Sequence, residues 1–288
     1  MAHLVVPGQV IASSSNGDGF LRGHGTFVEK RINEEERLVA SVAGIVERVN
    51  KLISVHPVAS SVYVGHVGDL VIGRISSVQQ TRWKVTIGGT TVRQAQLPLT
   101  GVHLAGGAQR IRTAEDSRDM RQLFQEGDLV SAEVHNLQQD GTIALHTRSL
   151  RYGKLENGCL IVVPPSLIAR RRNHFVDLFG MTLLLGTNGY IWIQRALPEK
   201  SDDAQLAEYQ EKIKVQHAET PVLPDERQAI ARMRNSIECL RMTHMMATPE
   251  NIGKVYQTSI DERTGLSAML HPDNVILLTA TLRNPTAC

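Results

Sequence analysis

The sequence predicts a mainly β protein with an α+β part, made of a small N-terminal β unit, a closed barrel, an α+β domain and C-terminal helices. Three observations predict it. Residues 67–75 and 126–134 read almost alike, each a turn-forming Gly-Asp (Gly68-Asp69, Gly127-Asp128) followed by an apolar strand. Further strand signals, Trp83-Lys84-Val85-Thr86-Ile87 and Thr142-Ile143-Ala144-Leu145-His146, lie between and after them. Beyond Asp225, Ile230, Met233, Ile237 and Leu240 recur at spacings of three and four, the period of a helix. Short strands opened by two Gly-Asp turns describe a five-stranded barrel of the OB type, which binds oligonucleotides on one face and in its loops.

Residues 1–58 form the first unit. Leu4-Val5-Val6 is a short strand ended by Pro7-Gly8, residues 13–19 are a polar loop, and Asn33-Glu34-Glu35-Glu36-Arg37 is a polar hairpin tip. A unit this short buries little core on its own, so it is expected to pack on a neighbouring domain or another protein. Residues 59–150 are the barrel. Residues 98–118 read as a long loop with a basic tip, leading into a short helix over 114–124.

Residues 151–246 are the α+β domain. Gly158-Cys159-Leu160-Ile161-Val162-Val163 is a strand stopped by Pro164-Pro165, and residues 166–175 are predicted as a short helix bearing Arg170-Arg171-Arg172. Met181–Leu185 and Tyr190–Ile193 are strands joined through Gly186-Thr187-Asn188-Gly189, and an Asn-Gly between apolar runs signals a hairpin. Residues 200–219 are a charged, exposed insertion. Residues 247–288 are a helical tail, with Thr248-Pro249 at a helix start and Val275-Ile276-Leu277-Leu278 docking helically.

Composition narrows the chemistry. Of 288 residues, 42% are hydrophobic and 21% charged, as in ordinary globular proteins, and the formal net charge of +2 excludes a polycation. The distribution says more: residues 61–155 carry 11 Lys/Arg against 8 Asp/Glu, and residues 201–288 carry 9 against 12. The basic excess therefore falls in the barrel, where nucleic acid would bind. Cys159, Cys239 and Cys288 are widely spaced and without a CxxC pair, so neither a disulfide framework nor a zinc site is expected. No apolar run reaches 18 residues and the first residues lack a basic segment followed by an apolar one, so neither a membrane span nor a secretory signal is expected.

Trp83, between Arg82 and Lys84, has two readings. An indole stacks on any base, worth about 1–3 kcal/mol, and a lone Trp on a barrel strand is equally a good core residue. Aromatics are only 4% of the chain, so a stacking platform would be thin and sequence preference weak. Arg74, Arg93, Arg110, Arg112, Arg121, Arg148 and Arg151 are candidates for phosphate contacts, against ordinary solvated charge or pairing with Glu115, Asp116 and Asp119. His24, in Gly23-His24-Gly25-Thr26, has no nearby base or nucleophile, so a tight turn accounts for it better than catalysis. No P-loop or dinucleotide fingerprint appears, and no active site, metal or cofactor is expected.

In their order along the chain, Val5-Val6-Pro7-Gly8, Gly23-His24-Gly25-Thr26, the barrel, and Gly186-Thr187-Asn188-Gly189-Tyr190-Ile191-Trp192-Ile193 closely resemble the S1/KH cap subunits of the eukaryotic RNA exosome. Ala40-Ser41-Val42-Ala43-Gly44 and Leu145-His146-Thr147-Arg148-Ser149-Leu150-Arg151-Tyr152-Gly153-Lys154-Leu155 add to the resemblance, which covers roughly residues 3–240. It implies an S1-type OB-fold barrel, a KH-type α+β domain, and a non-catalytic subunit that stabilises a ring of ribonuclease-PH-like subunits. Such subunits guide the 3′ ends of single-stranded RNA into the channel for processing and decay, including that of ribosomal RNA.

The implied partners are the ring subunits, other S1/KH cap subunits and single-stranded RNA, with no membrane. The implied location is the nucleus, including the nucleolus, and the cytoplasm. Arg74, Arg82, Trp83, Lys84, Arg110, Arg112 and Arg148 are then the RNA candidates. Arg22, Gly23, His24, Gly25, Thr26, Gly186, Asn188 and Gly189 are the subunit-interface candidates. RNA-binding KH domains carry a GxxG loop between two helices, whereas Gly186-Thr187-Asn188-Gly189 lies between strands and carries no cation, so it reads as a structural hairpin or a protein contact. The alternatives are a free-standing S1 RNA-binding factor and part of a phosphorolytic exoribonuclease.

Overall fold

The computed structural model describes residues 3–13, 19–30, 36–57, 63–88, 94–102, 114–138, 141–147, 152–196 and 220–283. The chain divides into two compact units, Met1–Ser61 and Val62–Cys288.

The first unit holds β1 (His3–Val5), β2 (Val10–Ser13), β3 (Leu21–Arg22), β4 (Thr26–Glu29), β5 (Arg37–Ala40), β6 (Gly44–Val49) and β7 (Leu52–Pro57). They make one sheet of order β1-β6-β7-β3 and a second of order β2-β5-β4. Val5, Ala40 and Val55 centre its small core, with Ile11, Val42 and Val46 packed around them. The expected polar hairpin tip falls between the antiparallel β4 and β5, and residues 31–35 of it lie outside the described residues.

In the second unit, β8 (Leu70–Val78), β9 (Arg82–Thr86), β10 (Gln94–Pro98), β11 (Leu129–Leu137) and β12 (Ile143–His146) close a five-stranded barrel in the cyclic order β8-β9-β10-β12-β11. Only the β10–β12 pairing is parallel. Alternation along each strand sends Val71, Ile75, Trp83, Val85, Leu97, Ala132, Val134, Ile143 and Leu145 inward. The short helices α1 (Ala114–Arg118) and α2 (Met120–Leu123) precede β11. Met120 and Phe124 close the barrel core from that side, and β13 (Gly153–Lys154) extends β11.

The two Gly-Asp stretches form the same turn twice. Asp69 N donates to His66 O at 3.1 Å and Asp128 N to Gln125 O at 3.2 Å, with Gly68 and Gly127 at φ +85° and +97°. These are type II turns, whose third position needs a positive φ. In each, the aspartate carboxylate accepts the first residue's N–H: His66 N at 3.0 Å and Gln125 N at 2.8 Å. β8 and β11 are antiparallel neighbours, Leu70 opposite Glu133 and Arg74 opposite Leu129. Each turn therefore bonds the far part of the other strand: Gly68 N to Val134 O, Val134 N to Asp69 O, Gly127 N to Ile75 O, Ile75 N to Asp128 O. The sequence repeat is a local two-fold in the barrel wall.

The α+β part holds β14 (Gly158–Val162), β15 (Phe175–Leu178), β16 (Met181–Leu185) and β17 (Tyr190–Arg195) in the order β14-β17-β16-β15. The helices α3 (Pro224–Met242), α4 (Pro249–Asp261) and α5 (Pro272–Arg283) follow. Met181, Leu183, Leu185, Ile191 and Ile193 face these helices, meeting Met233, Ile237, Leu240, Ile252, Val255 and Leu278. Leu184 and Trp192, on the other face, meet Leu70 and Ile72 of the barrel. Both faces of the sheet are buried, which is why its strands read as near-continuous apolar runs. Thr248 caps α4, its side chain accepting from Asn251 N at 3.3 Å.

One predicted element is corrected. Residues 166–175 form only a 3-10 turn, Pro165–Leu167, followed by irregular backbone up to β15. The segment has no acidic residue to support its three arginines on a helix, and tertiary ion pairs draw two of them away. The insertion at 200–219 lies outside the described residues.

Gly127→Ala tests the repeated turn. No atom lies within 4 Å of the added Cβ, so its cost is conformational alone. A loss of about 1–2 kcal/mol is expected in chemical denaturation.

Candidate nucleic-acid interface

Beyond Leu70 and Ile72, which the β14–β17 sheet covers, the outward face of β8, β9 and β10 is polar. Arg74 stands beside Thr86, which stands beside Gln94; Ser77 stands beside Lys84, which stands beside Gln96. Arg82 holds the end of the face, its Nε donating to Gln79 Oε1 at 2.8 Å and its Nη1 to Gln96 Oε1 at 2.7 Å. Arg74 Nη1 donates to Gly127 O at 2.9 Å. These three strands contain no Asp or Glu, and among the described residues Arg74, Arg82 and Lys84 enter no ion pair. Three uncompensated cations, with Thr and Gln hydrogen-bonding groups between them, can hold a phosphodiester backbone without reading bases.

Trp83 is not part of this face. It is 0% exposed, meets Phe124 edge-on at a centroid distance of 5.3 Å, and donates its Nε1–H to Phe124 O at 3.1 Å. Alternation on β9 decides this: with Arg82 and Lys84 outward, Trp83 must point inward. No face of the indole is left for a base. Arg110, Arg112 and Arg148, with Arg93 and Arg151, lie outside the described residues. Arg121 pairs with Glu126 at 3.0 Å, and that hydrogen bond holds the Glu126 carboxyl below its ordinary range.

The Gly186-Thr187-Asn188-Gly189 hairpin turns inward. Asn188 Nδ2 donates to Ile72 O at 2.7 Å and Ile87 O at 2.6 Å, and its Oδ1 accepts from Ile72 N at 3.3 Å. Thr187 sends both its N–H and its Oγ1–H to Leu70 O, each at 2.9 Å. Gly189 has φ +90°, and a Cβ there would lie 2.2 Å from Val163 O. All four residues are buried. The turn is used inside the chain, against the barrel, so neither a nucleic acid nor another subunit reaches Asn188.

Sequence reasoning missed a second attachment. Asp69 Oδ1 and Oδ2 accept from Arg170 Nη2 at 2.8 and 3.0 Å, and Oδ2 also accepts from Tyr63 Oη at 2.8 Å. Burial, with Asp69 adding to it, holds the Tyr63 phenol well above its ordinary pKa. Arg171 pairs with Glu250 at 2.8 Å. The signal for Asp69 was present in the Gly-Asp repeat; nothing local marked Arg170 as its partner.

In the first unit, Gly23-His24-Gly25-Thr26 runs alongside β7. Gly23 N donates to Ile53 O at 2.9 Å, Val55 N to His24 O at 2.8 Å, and Thr26 Oγ1 to Gly23 O at 2.8 Å. A Cβ on Gly23 would stand 2.1 Å from Ser54 Oγ, so close packing selects glycine. Arg22 and His24 are exposed. Leu4, Ile45, Val49, Leu52 and Leu21 share one face of the β1-β6-β7-β3 sheet by their register. All five are exposed, Leu4 at 63% and Leu21 at 61%. A Glu47–His56 pair at 2.6 Å lies among them. That is a large exposed apolar area for so small a unit.

Burial pushes the Cys239 thiol up to about 11 and raises that of Cys159 too. Among the described residues no group of three or more His, Cys, Asp or Glu could hold a metal ion, and no helix is long and apolar enough to cross a membrane.

Comparison with known proteins agrees with this architecture. The model of the RRP4 S1 domain matches residues 62–136, that of the "Exosome complex exonuclease RRP4 N-terminal region" residues 4–49, and a KH-domain model residues 158–199. The exosome complex component RRP4 of Bos taurus is 45% identical over 90% of this chain and 82% of its own length. This chain belongs to the RRP4 family. The Saccharomyces cerevisiae member is 37% identical over 90% of this chain and 77% of its own. A Thermococcus kodakarensis member is 30% identical over 66% of this chain and 70% of its own. The N-terminal model covers the first unit as far as the end of β6, and the S1 model covers β8, β9 and β10.

Two substitutions test these assignments. Asn188→Ala strips three hydrogen bonds from buried backbone groups and is expected to cost about 3–5 kcal/mol in chemical denaturation. Trp83→Phe is expected to cost about 1–2 kcal/mol through the lost bond to Phe124 O, and to leave RNA affinity unchanged in a filter-binding titration.

Proposed function

We propose that this chain is a non-catalytic cap subunit of an RNA exosome, which steadies a ring of ribonuclease-PH-like subunits and guides RNA 3′ ends toward its channel. The observation that carries the reading is the outward face of β8–β10 in an RRP4-family chain, where Arg74, Arg82 and Lys84 stand without a carboxylate or an aromatic side chain. Such a face attracts phosphates and lets a strand slide, because it makes no contact that depends on base identity. The exposed sheet face of the first unit supplies the ring contact, its leucines and valines meeting an apolar surface on a neighbouring subunit. Work on RNA in both nucleus and cytoplasm follows from membership of such a particle.

Electrostatic guidance has a measurable signature. Neutralising three phosphates on a single strand predicts a slope of log affinity against log salt of about −2, at about 0.7 per phosphate. The triple substitution Arg74→Ala, Arg82→Ala, Lys84→Ala is expected to flatten that slope and weaken binding of a homopolymeric oligonucleotide at low salt about ten-fold or more. Unchanged binding rejects this face as the track.

Ring attachment has its own test. Leu4→Asp with Val49→Lys is expected to leave the circular dichroism of the chain unchanged and to abolish co-elution with the ribonuclease-PH-like subunits. One family description includes the word exonuclease, so the purified chain is to be incubated with a 3′-labelled RNA. Shortening of that RNA by the chain alone would overturn the non-catalytic reading.

A further inference from the structure

The two Gly-Asp turns act as each other's control. Asp128 closes its turn with one bond to Gln125 N, and its nearest cation is Lys154 Nζ at 3.4 Å, on β13 of the barrel's own wall. Asp69 closes the same turn through His66 N, yet it is 5% exposed and takes two further donors, Tyr63 and Arg170. Turn formation does not require those donors, as Asp128 demonstrates. Arg170 comes from the α+β domain, from the irregular segment between β14 and β15.

That segment is a different part of the domain from the 186–189 turn, which attaches to Leu70, Ile72 and Ile87. The turn and the packing of Leu184 and Trp192 on Leu70 and Ile72 hold β8 and the end of β9. Arg170 holds the residue just before β8 from a separate segment, which restricts rotation about that join. The segment is itself anchored, since Arg171 next door pairs with Glu250 on α4. A continuous strap therefore runs from α4 through Glu250, Arg171, Arg170 and Asp69 to the first residues of β8, the strand that carries Arg74.

We infer that Asp69 and Arg170 are positioning residues, which lock the barrel's cationic face at one angle to the α+β domain. The inference rests on the reading of that face as the RNA track. Arg170 itself touches no RNA in this account. Its side chain is 59% exposed, so the strap works through its hold on a buried carboxylate rather than through its own burial. The Tyr63 hydroxyl supplies the other fixed donor to that carboxylate, at 2.8 Å.

The full chain decides this by amide hydrogen exchange on Arg170→Ala, Arg170→Lys and Lys154→Ala. The reporters are the amides of Thr187 and Ile72, which bond across the junction to Leu70 O and Asn188 Oδ1. Arg170→Ala is expected to speed exchange at both about ten-fold while amides within the barrel, such as Val85 and Val130, and within α3 stay unchanged. Arg170→Lys restores part of the protection, and Lys154→Ala changes neither reporter. In the particle assembled with its ring, Arg170→Ala is expected to lower photocrosslinking of RNA to the β8–β10 face several-fold, while the isolated chain's RNA affinity stays within about two-fold. Unchanged exchange at Thr187 and Ile72 overturns the inference. So does an equal rise throughout barrel and helices, which marks a general support of the fold. Absence of RNA binding by the wild-type chain would instead sink the track reading, and the exchange result would still decide the strap.

Discussion

Asn188 is 2% exposed and satisfies backbone groups of both Ile72 and Ile87, on and beside neighbouring barrel strands. The join between the barrel and the β14–β17 sheet centres on this side chain. A carboxamide supplies both donors and an acceptor from one compact group. It can therefore seal barrel backbone that has lost water at the junction, where an unpaired group would cost about 1–3 kcal/mol. With it in place, the β14–β17 sheet is covered by helices on one side and by Leu70 and Ile72 on the other. The sheet becomes the middle layer of the unit, and the glycine turn that nucleic-acid clamps would expose is enclosed.

That enclosure moves the nucleic-acid question onto the barrel. There the period-two alternation of β9 divides three consecutive residues between two jobs: Arg82 and Lys84 face water, and Trp83 fills the core beside Phe124. The resulting face has charge without stacking surface, which suits passage better than capture. The paired Gly-Asp turns brace the same wall from both ends, since each bonds the far part of the opposite strand.

The N-terminal unit obeys a different constraint. Seven short strands around Val5, Ala40 and Val55 leave Leu4, Leu21 and Val49 in water, because a unit of this size has more apolar residues than interior. Its glycines at 23 and 25 are explained by close packing on β7, not by chemistry at His24. Surplus apolar area on one sheet face and close packing at its glycines are both consequences of that small size.

The sequence by itself determined the elements whose cause is local. The Gly-Asp turns, the Asn-Gly hairpin, the apolar strands and the three-four periodicity of Ile230, Met233, Ile237 and Leu240 need only neighbours along the chain. The order of motifs also carried the family. Tertiary structure alone decided which side of a strand is inside, hence the burial of Trp83. It also decided where the 186–189 turn docks and why residues 168–174 are not helical. Asp69 and Arg170 are 101 residues apart, and Asn188 and Ile72 are 116 apart. No local pattern encodes such pairs, because their energy exists only once the barrel and the α+β domain have met and water has left the carboxylate and carboxamide between them.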